Sequence, residues 1–416
     1  MKANISRRSL LGLLASSTVL PFPFKLGAST VRNFRIRTIT AGVKLSNVDD
    51  MAAMHKAVAF LKASRGKYEA LDYEVQTLRL ATPPLFNYLS EWNPSSSLEA
   101  IKTLDGFAQE NGVMLSLGPV NNPNQDSQEF AEWIIELIAN TKNTSCSLIV
   151  ASPQLKPNAE TIGTAASIMS GIATATKGGE GNFRFVASAY CPPGTPFFPA
   201  AYFADDSFSI GLESPDLLQS TFANANEMGA AKMQLKKDME TALTPLAKQA
   251  ELIAEKTARP YLGIDTSPAP NIDVSIGRAI ETLSGVSFGS PGTLTACAAI
   301  TDVLKSLDIK SCGYSGLMLP ILEDTTLALR AREGRYSVSD LLLFSSVCGT
   351  GLDVVPLPGD TSVKHLGALI SDVAALARKY SKPLSARLFP VLGKKAGDMV
   401  KFDNPYLTDA VVMNIE

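Results

Sequence analysis

Phe34-Arg35-Ile36-Arg37-Thr38-Ile39-Thr40-Ala41-Gly42-Val43 reads as a strand, and Tyr73-Glu74-Val75-Gln76-Thr77-Leu78-Arg79-Leu80-Ala81 reads as its successor. Both are rich in β-branched and apolar residues. Between them, Ser46 with Asp49 three residues on forms a capping-box pattern that opens a helix over 48–63. Strand, helix and strand in that order predict parallel strands joined by a helical crossover.

The unit repeats outward from there. Further strands are expected over 113–117, 147–151, 183–190, 207–212, 261–265, 313–319, 352–356 and 384–390, which makes ten with the first two. Helices are expected between most of them. Over 97–109, Leu98, Ile101, Leu104 and Phe107 fall at helical spacing and Gly112 follows as a stop. The stretch 217–257 reads as two or three helices interrupted at Pro245, with further helices over 294–307 and 361–380. The fold class is α/β, either a doubly wound sheet or a barrel.

Composition narrows the function classes. Of 416 residues, 45% are apolar and only 19% charged, which suits a large interior with both sheet faces covered. Basic and acidic residues number 38 and 40, and no basic stripe suggests nucleic acid. The five cysteines (Cys146, Cys191, Cys297, Cys312 and Cys348) are odd in number and widely spaced, which argues against a disulfide framework. Two histidines, His55 and His365, cannot build a His-rich zinc site.

The first residues carry an address. Ser6-Arg7-Arg8-Ser9-Leu10-Leu11 matches the twin-arginine pattern, and an apolar run over 10–20 follows. That run is about half the length needed to cross a bilayer. Pro21 and Pro23 end it, Lys25 disfavours the general secretory route, and cleavage is expected near Ala28 or Ser29. Residues 1–29 are thus expected to be a signal peptide read by the twin-arginine translocase, and 30–416 a single exported, periplasmic-type domain without a stable membrane anchor. An uncleaved anchor is the competing reading. Export in the folded state places folding and any cofactor loading before translocation.

Several strings are familiar together. They are Glu74-Val75-Gln76-Thr77-Leu78-Arg79, Pro192-Pro193-Gly194-Thr195-Pro196-Phe197-Phe198-Pro199-Ala200-Ala201-Tyr202 and Gly289-Ser290-Pro291-Gly292-Thr293. Two more are Gly313-Tyr314-Ser315-Gly316-Leu317-Met318-Leu319-Pro320-Ile321-Leu322-Glu323-Asp324 and Val347-Cys348-Gly349-Thr350-Gly351-Leu352-Asp353, continuing into Pro356-Leu357-Pro358-Gly359-Asp360. They resemble the domain-of-unknown-function family 711, also called uncharacterised protein family 0210. The resemblance implies a ten-stranded α/β barrel similar to pyruvate formate-lyase, the glycyl radical enzyme fold. It implies no reaction. The segment 393–416 lacks the Arg-Val-x-Gly-Tyr string that radical chemistry needs, so the fold is expected without the radical. The usual family member has no export signal, and here this chain departs from it.

Candidate site residues follow from position. Asp265 ends one expected strand and Glu323 and Asp324 follow another, where α/β barrels hold catalytic groups, while Asp353 and Asp360 flank a Pro-Leu-Pro turn. Converging, they would bind Mg²⁺ or Ca²⁺ or act as acid and base; singly, each reads as a helix cap or loop contact. Cys348 sits among small residues, with no cation or His beside it to lower its pKa, so a buried structural thiol competes with a nucleophile. Gly289, Gly292 and Thr293 precede a helix and would cradle an anion, or simply form a capped turn.

Arg37 and Arg79 lie within strands and must pair inward or reach solvent. Inward, they would clamp an anionic ligand. Tyr202 and Glu213 flank the strand 207–212 and would line the same cavity or pack. His55 and His365 sit on helices, where surface or core positions outweigh catalysis. Three functions stay open: an exported enzyme acting on a small polar or anionic molecule, a small-ligand binding protein, and an assembly protein whose 217–257 helices meet a second subunit.

Replacing Arg7 and Arg8 together by Lys is expected to leave the chain in the cytoplasm. Cell fractionation checks this, and unchanged export would remove the twin-arginine reading.

Overall fold

β1 (Arg35–Gly42) and β2 (Val75–Ala81) pair in parallel across the helix Met51–Glu69. The computed structural model describes residues 32–415, apart from 90, 122–126 and 226. The leader expected over 1–29 lies outside the described residues. β3 (Met114–Pro119), β4 (Thr144–Ala151) and β5 (Phe185–Ala189) extend the parallel run. β6 (Phe208–Glu213) pairs antiparallel with β1, and β7 (Tyr261–Pro268) pairs parallel with β6. At the other side β9 (Leu384–Val391) is antiparallel to β5, and β8 (Gly351–Pro358) is parallel to β9. The order is β7-β6-β1-β2-β3-β4-β5-β9-β8. A separate hairpin joins β10 (Met399–Val400) to β11 (Ala410–Val411).

Every residue of β5, β6 and β9 is buried, as a sheet covered on both faces requires. The low charged fraction of the sequence therefore reports on the sheet.

Among the described residues the main sheet has nine strands rather than the expected ten, with β7 and β8 at its edges. The stretch 313–319 is not a strand. Gly313 and Ser315 have φ of 62° and 40°, which an extended chain cannot contain. The irregular segment still touches both edges, with single parallel bridges at Ile264↔Ser311 and Pro320↔Asp353. Asp265 holds it to β7 by accepting from the Tyr314 and Ser315 amides at 2.8 and 2.9 Å. Beyond it, Gly316 packs so closely on Gly349 that a β-carbon at Gly316 would lie 2.6 Å from the Gly349 Cα.

Two helix boundaries also differ from expectation. The first helix begins at Met51, and its cap is Asp50, which accepts from the Ala53 amide and from the Ser46 hydroxyl. Ser46 therefore braces the cap instead of forming it. The stretch 217–257 holds helices at Pro215–Phe222 and Met228–Thr257, and the second runs through Pro245. Pro245 removes one hydrogen bond. Leu235, Met239, Leu243, Leu246, Ala250 and Ile253 nonetheless stay buried on both sides of it, so packing carries the helix through.

Asp324 joins two helices. It caps Thr325–Arg332 through the Thr326 and Leu327 amides, and it accepts from Ser275 Oγ and the Ile276 and Gly277 amides at the start of Ile276–Ser284. Asp324→Ala is expected to lower unfolding free energy by about 2–4 kcal/mol, the sum of two lost caps. Asp360→Ala, at an exposed turn, should stay within about 0.5 kcal/mol. Denaturant unfolding of both variants checks the contrast.

Candidate functional site

Strand side chains alternate across the sheet, so register decides which residues share a face. The β1–β2 register pairs Thr40 with Arg79, and both donate to the Pro196 carbonyl, at 2.9 and 2.6 Å. Arg37 from β1, Arg79 from β2, Asp353 from β8, and Ser385 and Arg387 from β9 line one cleft. Phe197 and Phe198 cover one side of it, with a cis peptide at Phe198–Pro199. The irregular segment adds Tyr314 and Met318, and Glu323 follows shortly after. The cleft encloses about 580 Å³ of atom-free space including its mouth. About 50 Å³ of it can take the centre of a water molecule. At about 10–15 Å³ per water this is room for a few waters or one small molecule.

The charges in the cleft are unevenly matched. Arg387 Nη2 lies 2.6 Å from Glu323 Oε1 and 2.7 Å from Asp353 Oδ1. Burial opposes the Arg387 charge, but Asp353 and Glu323 outweigh it and hold its pKa above the ordinary value. Burial pushes the Glu323 carboxyl above its ordinary range against the pull of Arg387. Arg37 Nη1 meets Glu213 Oε2 at 3.1 Å, and its Nη2 is 3.8 Å from Glu323 Oε2. Glu213 also takes Arg35 Nη1 at 2.8 Å, so it lies behind the cleft between two arginines.

Arg79 has no such partner. Among the described residues no carboxylate is within ion-pair distance of it, and its Nε has no hydrogen-bond partner. Its guanidinium carbon sits 4.6 Å from the centre of the Phe198 ring. Only 2% of the residue is exposed. Burial pushes its pKa down to about 9, helped by repulsion from Arg37 and Arg387, so it is still a cation at neutral pH.

A chain of hydroxyls lines the same cleft. Tyr314 OH donates to Ser385 Oγ at 3.2 Å, and Ser385 Oγ donates to the Thr350 carbonyl at 3.0 Å. Thr350 Oγ1 is buried without a partner.

The structure brings together Arg37, Arg79, Glu323 and Asp353 from the residues expected in sequence. The others lie elsewhere. Asp265 and Asp324 accept backbone amides, and Asp360 is exposed in the turn after β8. Cys348 is in the core against Cys297, whose thiol that contact raises well above its ordinary pKa. Tyr202 braces its own loop by donating to the Cys191 carbonyl. Gly289, Gly292 and Thr293 form a turn in which Gly289 N–H donates to Thr293 Oγ1, and Thr293 N–H to the Ser290 carbonyl, so those two amides are used internally. His55 and His365 are exposed on helices.

Arg387 and Thr350 were not singled out in sequence. Arg387 carries the same signal as Arg37 and Arg79, an arginine among apolar strand residues. Thr350 carries none.

The donor set does not suit a divalent cation. Among the described residues no group of three or more His, Cys, Asp or Glu side chains is placed to hold one. Glu323 and Asp353 turn their oxygens to Arg387, beside two further arginines.

Over residues 29–404 the chain matches the family described as Uncharacterised ACR (DUF711), and it belongs to that family. A UPF0210 protein of Desulforudis audaxviator is 27% identical over 403 residues, covering 89% of this chain and 88% of its own. One from Pyrobaculum islandicum is 28% identical over 406 residues, covering 90% and 89%. One from Syntrophobacter fumaroxidans is 29% identical over 359 residues, covering 81% and 78%. The family is uncharacterised, so the chemistry of the cleft rests on its geometry.

Arg387→Met leaves Glu323 and Asp353 without their shared cation. The expected cost is about 3–5 kcal/mol at neutral pH. Glu323, which burial already raises and which then loses the opposing pull of Arg387, titrates above its unfolded value, so the folded state takes up a proton there more readily than the unfolded chain. The loss should therefore shrink as pH falls from about 7 toward about 5. Denaturant unfolding at both pH values measures it.

Proposed function

We propose that the chain captures a small anionic molecule in the cleft, with the anion seated on Arg79. The charge balance carries this reading. Among the described residues Arg387 is matched by Glu323 and Asp353, Arg37 by Glu213, and Arg79 by no acid. A buried cation without a counter-charge is costly, and such groups in clefts mark functional sites. An entering anion supplies the missing charge. A guanidinium suits a carboxylate or phosphate because its fork matches two oxygens. Phe197 and Phe198 beside it limit water, which strengthens the attraction.

Acid–base catalysis on the bound anion is a second reading, and Glu323 favours it. Burial raises that carboxyl, so it holds a proton closer to neutral pH than an exposed glutamate does. In this reading Arg387 positions Glu323, and Arg79 holds the substrate.

The site would sit inside a barrel of the pyruvate formate-lyase type, with the segment 311–320 in the tenth position. The bridges at Ile264↔Ser311 and Pro320↔Asp353 support that closure. Export by the twin-arginine route, with 30–416 as the exported domain, is supported by Arg7-Arg8 and by a family match that starts at residue 29.

Arg79→Met separates binding from stability. The Pro196 carbonyl keeps its bond from Thr40, so nothing is orphaned. The unliganded variant is expected to be as stable as the parent or more stable, by about 1 kcal/mol of unfolding free energy at most. Short carboxylates or inorganic phosphate at about a hundredfold excess over Kd should stabilise the parent by about 2.7 kcal/mol and the variant not at all. Thermal unfolding with and without each anion decides. A parent that no anion stabilises, or an unliganded variant that is markedly weaker, would sink the reading.

A further inference from the structure

We infer that the occupant of the cleft is a short monocarboxylate bearing a hydroxyl group, its carboxylate on Arg79 and its hydroxyl on Thr350. This rests on the anion-binding reading above and deepens it. Two residues that line the cleft each carry a buried, unpartnered polar atom, Arg79 Nε and Thr350 Oγ1. Thr350 is 3% exposed. Its neighbours are already engaged: Tyr314 OH and Ser385 Oγ bond in series, and the series ends on Thr350's own carbonyl. Thr350 Oγ1 itself takes no part in that series and has no hydrogen-bond partner. A buried polar atom without a partner is unfavourable, and a ligand group that both donates and accepts removes that penalty.

Charge and size narrow the class. One unmatched guanidinium offsets one negative charge, which fits a monocarboxylate better than a dianion. A second carboxylate would face Glu323 and Asp353, and an ammonium group would face three arginines. A neutral hydroxyl meets neither repulsion. Val186, Met318 and Ala269 supply apolar lining for a short carbon skeleton. The interior admits only a few heavy atoms beyond the carboxylate.

Calorimetric titration of the full chain with lactate and propionate, and with hydroxybutyrate and butyrate, tests this. Each hydroxy acid is expected to bind about tenfold more tightly than its deoxy counterpart. Thr350→Val should erase that preference and leave the deoxy acid's affinity unchanged, whereas Thr350→Ser should retain it. Arg79→Met should abolish both. Equal binding of each pair by the parent, which needs no variant, would overturn the inference, as would a preference that survives Thr350→Val. Inorganic phosphate binding as tightly as the hydroxy acids would overturn the monocarboxylate class. Where the parent binds acids without discriminating, the anion-binding reading survives alone; where it binds no acid or phosphate, both fall.

Discussion

Three guanidinium groups converge on one water-poor cleft, and the described residues supply acids for only two of them. Taking a charge out of water is costly unless a partner replaces the lost solvation. Arg387 and Arg37 meet that condition through Glu323, Asp353 and Glu213. Arg79 is held instead by a backbone carbonyl, the Met114 thioether sulfur and an aromatic face, all weaker substitutes for an acid. Those contacts fix the guanidinium in place without neutralising it. A group oriented in advance and left uncompensated is what an anion site needs, because little ordering remains for the moment of binding.

The parallel strands and their crossovers were legible because each strand is a short apolar run bounded by turn residues. Nine such runs became strands of one sheet. The tenth, 313–319, has strand composition, but the positive φ of Gly313 and Ser315 follows from a tertiary contact with Asp265 that no local pattern records. Pro245 failed as a helix break for a related reason, since burial of the flanking leucines outweighs one missing hydrogen bond. Barrel or open sheet could not be decided from periodicity at all, because closure depends on what the two edge strands meet.

The site was legible wherever charge contradicted its surroundings. Arg37 and Arg79 stood out among apolar strand residues, and the same logic applied to Arg387 would have completed the trio. Glu323 and Asp353 were legible as acids after a strand and beside a Pro-Leu-Pro turn, but so were Asp265, Asp324 and Asp360. What divides them is the partner: guanidinium groups for the first pair, backbone amides for Asp265 and Asp324, and solvent for Asp360. Thr350 gave no signal, since a threonine matters here only through the lack of a partner.

Asp265 shows how a residue outside a cleft can still shape it. In a regular strand successive N–H groups point to opposite sides, so one carboxylate could not accept from both Tyr314 and Ser315. The positive φ of Gly313 and Ser315 goes with a turned chain in which both amides reach Asp265. That turned chain carries the Tyr314 hydroxyl to Ser385 on β9, the strand next to edge strand β8, beside Thr350. An acid within β7 thus sets the position of a phenol on the cleft wall near β8 and β9, without touching anything the cleft would hold.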